Sequence, residues 1–141
     1  MSSTPAQLTT PASRTVPIAA FVWSGRILSG LSILFLAFDG IGKLVKPAPV
    51  VDAFAQLGMP MSHSAGIGLL LLACTAVYAI PRSALQGAIL LTGYLGGAIA
   101  IQVRAETGWF PVVFALIVAA LVWGGLFLRD TRARVLLPWY A

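Results

Sequence analysis

Asp39 and Lys43 stand four residues apart, acid first, in a stretch from Phe21 to Val45 whose one other charge is Arg26. On a helix that spacing puts both side chains on one face, where carboxylate and ammonium can pair. Isolated charges in lipid cost on the order of 2.5 to 3.5 kcal/mol each on insertion scales, and pairing, snorkelling or facing a wet cavity lowers that penalty. A pair of this kind can hold a polar headgroup, pass a proton, or lock helices together. Tyr94, Gln102 and Arg104 are the polar residues elsewhere in the chain that could join it. Asp39, Lys43, Tyr94, Gln102 and Arg104 are therefore the candidate ligand-binding residues, forming a pocket for an amphipathic molecule with a polar head. The competing reading is structural: Lys43 snorkels while Asp39 closes a hydrogen-bond network with Tyr94 or Arg104.

Depth along helices supports grouping them. With Arg26 at one membrane boundary and a rise of ~1.5 Å per residue, Asp39 lies roughly 20 Å and Lys43 roughly 26 Å across a hydrocarbon layer of ~30 Å. Counting from Arg82 in the same way puts Tyr94 at about 18 Å and Arg104 at about 33 Å. Asp39 and Tyr94 thus share a depth in the half of the bilayer far from Arg26.

The elements that must position these residues are membrane spans. No Asp, Glu, Lys or Arg occurs from Ala53 to Pro81, from Ser83 to Val103 or from Thr107 to Leu128. Each stretch is close to the ~20 residues a helix needs to cross a bilayer. Across the 141 residues, 59% are hydrophobic and 9% charged, far from the roughly one quarter charged of a soluble domain. The expected fold class is all-α, a four-transmembrane-helix up-down-up-down bundle with spans over about 22–46, 63–80, 84–103 and 109–128. Short links at Pro81-Arg82 and Arg104 to Gly108 require neighbouring helices to pack antiparallel. Residues 17–141 form one domain, and residues 1–16, rich in Ser, Thr and Pro, read as a disordered tail.

The link from Pro47 to Ser62 is longer, and Val50, Val51, Phe54 and Leu57 have the one-sided spacing of a short interfacial or partly re-entrant helix. Small residues mark where helices can approach. Gly93 and Gly97 have GxxxG spacing, and with Gly87 and Gly96 they are expected to pack inside the bundle, against a partner such as the Ser24, Gly25, Ser29, Gly30, Ser32 run, with dimerisation of two chains as the alternative.

Charge sets the expected orientation. With both termini cytoplasmic, Arg14, Arg26, Arg82, Arg129, Arg132 and Arg134 fall inside, and Lys43, Lys46 and Arg104 outside, the sense the positive-inside rule favours. Phe21, Trp23, Tyr78, Trp109, Phe110, Trp139 and Tyr140 all fall near span ends, where amphipathic rings sit at the interface. Glu106, next to Arg104 in a short link, reads as its solvated partner. The net charge of +5 comes from basic residues at span ends, so it does not indicate nucleic acid.

The remaining chemistry is sparse. Cys74 is the one cysteine, which precludes an intramolecular disulfide, and reads as a packing residue. His63 is the one histidine, so the chain alone cannot supply a bis-His haem or a His-based metal cluster. No catalytic residues, metal ligands or cofactor are assigned.

Several motifs occur together: Asp39-Gly40 with Lys43-Leu44, Leu57-Gly58-Met59-Pro60, Ile80-Pro81-Arg82-Ser83-Ala84-Leu85, and Thr92-Gly93-Tyr94-Leu95-Gly96-Gly97-Ala98-Ile99-Ala100 followed by Arg104. Leu128-Arg129-Asp130 and Leu136-Leu137-Pro138 follow. In these the chain resembles the DoxX-like family of small four-helix membrane proteins. The usual member is pictured with a His before the Arg in span three, where this chain has Gln102. The resemblance implies a four-helix bundle in the bacterial inner membrane. Some relatives are subunits of thiosulfate:quinone oxidoreductases, and others accompany quinone, catechol or thiol stress responses, which implies an accessory subunit near the quinone pool. No residue roles carry over.

The reading that follows is an accessory or ligand-binding integral membrane protein, not an enzyme as an isolated chain, holding a quinone-like or lipidic molecule. Its partners would be the lipid bilayer, that ligand and a redox protein. One alternative is a membrane subunit of a quinone-linked oxidoreductase of sulfur or aromatic metabolism, with the cofactor on its partner. A membrane chaperone or transporter component is the other.

Overall fold

The computed structural model describes residues 18–136. The tail expected over 1–16, together with Arg14, Leu137, Pro138, Trp139 and Tyr140, lies outside the described residues. Six helices follow one another among those described: α1 (Ile18–Val45), α2 (Ala48–Gln56), α3 (Ser64–Ala79), α4 (Ala84–Arg104), α5 (Trp109–Arg129) and α6 (Thr131–Leu136). A single 3₁₀ turn, Met61–His63, leads into α3. Four of these elements are long and apolar enough to cross a membrane, as the charge-free stretches require. The chain is an all-α four-helix bundle of up-down-up-down order.

The four long helices form a closed ring in which α1 packs on α3 and α5, and α4 packs on the same two. The core where they meet is made by Leu36 of α1, Leu71 and Tyr78 of α3, Ala88 and Leu91 of α4, and Val122 and Leu126 of α5. Outward-facing side chains are large and apolar, including Leu34, Phe38, Ile89 and Leu116. An apolar exterior of this kind is stable only against lipid, so burial inside the protein need not drive the packing. Close fit and interhelical hydrogen bonds do so instead.

Tyr78 supplies the central hydrogen bond. Its hydroxyl, on a fully buried side chain, donates to the Val122 carbonyl of α5 at 2.7 Å and lies 3.1 Å from the Ser29 hydroxyl of α1. Since the phenol has one proton, Ser29 is the donor of the second bond. Arg129 closes the same corner, its guanidinium donating to the Tyr78 carbonyl at 2.9 Å and lying 4.9 Å from the Tyr78 ring centre. That bond satisfies a carbonyl which the C-terminal turn of α3 leaves without an intrahelical donor.

The glycines that bring helices together are not the GxxxG pair. A Cβ on Gly87 would lie 2.3 Å from the Tyr78 backbone, and one on Gly25 would meet the backbone of Arg129 at 2.5 Å. Gly40, Gly68 and Gly125 are similarly tight. Around a Cβ added at Gly93, Gly96 or Gly97 there is nothing within 4 Å, which corrects the expectation that Gly93 and Gly97 pack inside the bundle. They lie on the part of α4 where the helices splay around an open space. From the small-residue run of α1, Gly25, Ser29 and Ser32 are buried, whereas Ser24 faces outward.

The links are built by end caps. Lys46, with φ 56°, turns the chain after α1 while its amide donates to the Gly42 carbonyl. Pro47 follows and caps α2. Gly58, with φ 64°, ends α2 in a left-handed turn in which the Met59 amide reaches back to the Phe54 carbonyl, the arrangement glycine serves at little steric cost. Glu106 does the same after α4 with φ 51°. Among the described residues it makes no ion pair with Arg104, the one such pair being Asp39–Lys43, so the expected Arg104–Glu106 contact is not formed. The short helix α6 is an addition to the expected elements. Asp130 interrupts α5 with extended backbone, and its carboxylate accepts from the Arg132 amide at 2.9 Å.

Candidate functional site

Where the helices splay, beside the α2 end of the bundle, a cavity of about 670 Å³ opens between them. Its lining comes from the C-terminal half of α1, the inner face of α2, the start of α3, the C-terminal half of α4 and the N-terminal half of α5. Asp39, Lys43, Tyr94 and Gln102 all line it. Arg104 does not, and it is exposed. Four of the five residues singled out from spacing and depth therefore converge on one space, while the fifth sits beyond its rim.

Each polar side chain is held differently. Lys43 donates to the Asp39 carboxylate one helical turn away. The Lys43 side chain is 16% exposed and that of Asp39 41%, so the ammonium turns inward rather than snorkelling to the boundary. Gln102 is tied by the cap of α4, with the Thr107 hydroxyl donating to its side-chain oxygen. Its amide nitrogen has no acceptor among the described residues. Tyr94 is half-buried, and among the described residues its hydroxyl has no hydrogen-bond partner. The network in which Asp39 would close on Tyr94 or Arg104 is not formed: the carboxylate is engaged by Lys43 alone.

The rest of the wall is apolar. Phe35 and Phe114 meet edge to face with ring centres 5.2 Å apart, and Phe110 stacks on Phe114 at 6.1 Å. Leu36, Leu95 and Val118 line the floor, and Gly93 and Gly97 leave the α4 side flat. The helix α2, expected from its one-sided spacing, forms a cover. Pro49, Val50, Ala53, Phe54 and Leu57 face the cavity, with Phe54 4% exposed, while Val51 points outward. Ser64, at the start of α3, donates to the Lys43 carbonyl at 2.6 Å, pinning the polar turn of α1 to α3. A space of this size, mostly apolar with a few polar groups in its lining, is the usual build of a small-molecule site.

A family model described as DoxX-like matches residues 27–125. The chain belongs to the DoxX-like family. That match covers every residue lining the cavity of this DoxX-like protein, and with the four spanning helices it makes the chain a multi-pass membrane protein. Comparison with curated proteins and with solved structures gave no match.

Sequence reasoning misses two parts of the arrangement. The apolar walls contributed by α5, Phe110 and Phe114 among them, cannot be assigned to the cavity because a span that is apolar all round carries no amphipathic signal. Tyr78, whose position suggests an interfacial aromatic, is instead the hydrogen-bonding hub of three helices. A signal for that role exists, since a tyrosine and an α1 serine at matching depth can bond across a helix pair. Cys74 is buried, in keeping with a packing role, and the described residues contain no group of His, Cys, Asp and Glu able to hold a metal.

Proposed function

We propose that this DoxX-like protein holds an amphipathic, quinone-like or lipidic molecule in the cavity between α1, α2, α4 and α5. The observation that carries the proposal is that an Asp39–Lys43 pair on α1 and, on α4, the Gln102 amide and a Tyr94 hydroxyl without a partner among the described residues all line one otherwise apolar space. A polar head with carbonyl or hydroxyl oxygens would accept from Tyr94, Lys43 and the Gln102 amide nitrogen. Its apolar remainder would lie along Phe35, Phe110 and Phe114, with α2 closing over it. The role proposed is accessory, beside a redox protein that carries the cofactor, because one histidine and one cysteine leave the chain few redox ligands of its own. The location proposed is the bacterial inner membrane, with both termini and the basic end of the bundle in the cytoplasm, which puts the cavity in the outer leaflet.

The test is native mass spectrometry of the protein extracted gently from its own membranes, comparing wild type with Asp39→Asn and Tyr94→Phe. The expected result is a retained quinone or lipid in wild type, lost in both variants while their thermal stability stays close to wild type. Wild type and variants that all emerge empty, or all equally loaded, would overturn the reading.

A further inference from the structure

The opposite end of the bundle contains a second concavity of about 380 Å³, lined by Arg26, Arg82, Arg129 and Arg132 together with Ala84 and Asp130. Four guanidinium-bearing residues face one space with a single acid among them, so the lining keeps an excess of positive charge. Asp130 accepts from the Arg132 amide as the cap of α6, and among the described residues it forms no ion pair. The arginines are held in unequal degree. Arg129 is fixed by the Tyr78 carbonyl and ring, and Arg26 lies 5.9 Å from the Trp23 ring centre. The side chains of Arg82 and Arg132 make no hydrogen bond among the described residues, so their donors are free.

A second feature points the same way. Ala84, the first residue of the 21-residue helix α4, lines the space. The Ser83 hydroxyl donates to the Val77 carbonyl instead of capping α4. The first amides of that helix, Ala84 to Gln86, therefore have no acceptor among the described residues, and they carry the positive end of the helix dipole. Arginine forks and uncapped helix amides are the two donor types that bind phosphate best. The space lies at the end of the spanning helices, at the level of lipid headgroups, and is flanked by outward-facing apolar side chains such as Ile27 and Ile80.

We propose that this concavity binds the phosphate of an anionic phospholipid headgroup, with the acyl chains descending along the apolar exterior. Arg129 positions the site and Arg82 and Arg132 engage the phosphate. The basic pocket between spans is the arrangement by which membrane proteins select anionic lipids. The proposal does not depend on the cavity at the α2 end.

The experiment is native mass spectrometry of the full chain in detergent, titrated in separate arms with phosphatidylglycerol, phosphatidylcholine and phosphatidylglycerol plus millimolar inorganic phosphate. Wild type should retain phosphatidylglycerol in preference to phosphatidylcholine. An Arg82→Gln, Arg132→Gln double variant should lose about fivefold in retention per arginine, or roughly 25-fold together. The Arg82→Lys, Arg132→Lys variant should retain part of the preference, and Arg104→Gln at the other end should leave it unchanged. Since neither Arg82 nor Arg132 bonds to the rest of the described protein through its side chain, the variants should unfold at the wild-type temperature. Equal retention of both lipids, an unaffected double variant, or an equal loss in Arg104→Gln would overturn the proposal. Displacement of the lipid by inorganic phosphate would overturn the lipid source and assign the site to free phosphate.

Discussion

Replacing Gly87 by alanine should break the α3–α4 contact. The added Cβ would lie 2.3 Å from both the N and Cα of Tyr78, and ordinary contact begins at 3.4 Å, so the two helices must part locally by about 1.1 Å. The obstacle is backbone, which cannot rotate away as a side chain would. Tyr78 is also fixed on its other sides by the Val122 carbonyl, Ser29 and Arg129, so any shift lengthens the 2.7 Å hydrogen bond of a fully buried side chain. Overpacking of this kind costs about 1 to 3 kcal/mol, and the coupled loss of hydrogen bonding places Gly87→Ala at about 3 kcal/mol or slightly above. Gly93→Ala is the matched control, because its Cβ would enter open space and should change stability by no more than about 0.5 kcal/mol. Equilibrium unfolding of the purified protein in mixed micelles by added dodecyl sulfate, followed by far-ultraviolet circular dichroism, measures both. A Gly87→Ala protein as stable as wild type would refute the packing argument. So would a Gly93→Ala protein equally destabilised, since that would put the GxxxG face of α4 in a contact the monomer does not make.

Two further outcomes follow from the same structure. Tyr78→Phe should lose about 1 to 2 kcal/mol in the same titration, by removing the donor to Val122 and the acceptor for Ser29, whereas Tyr94→Phe, whose hydroxyl has no partner among the described residues, should stay within about 0.5 kcal/mol of wild type. Phe54→Ala removes the side chain that anchors α2 over the cavity and should raise amide hydrogen exchange in α2 more than tenfold while leaving α3 to α5 protected, read by exchange mass spectrometry, since α2 is attached through little else that is buried.

Much of the architecture was legible from residues alone because lipid imposes a simple rule. Every backbone amide must be satisfied within its own segment, so charge-free runs of about 20 residues become helices, and short links make neighbours antiparallel. The one-sided apolar face of α2 was readable for the same local reasons. Asp39, Lys43 and Tyr94 were grouped through depth counting, which works because helical rise is constant. Arg104 was counted to the outer surface of the bilayer, and its place at the last turn of α4 puts it outside the cavity. The glycine reading failed because spacing reports only that two glycines share a face, not which face meets a neighbour. In a span apolar all round, the order of residues along the helix leaves the inner face indistinguishable from the outer.

The sequence by itself determined that the chain is a four-span membrane protein, that its polar groups cluster toward one end of those spans, and that its basic residues collect at the other. These follow from the energetics of single segments in lipid. Only the tertiary structure decided that the ring is closed by α1 against α5, that Tyr78 ties three helices together, and that the helices part to leave a cavity under α2. It also decided that Arg26, Arg82 and the neighbouring Arg129 and Arg132 face one space. Those outcomes depend on which helix faces meet, and that choice is made by close packing between segments, where a difference of about one ångström at a glycine outweighs anything the pattern along a single helix can express.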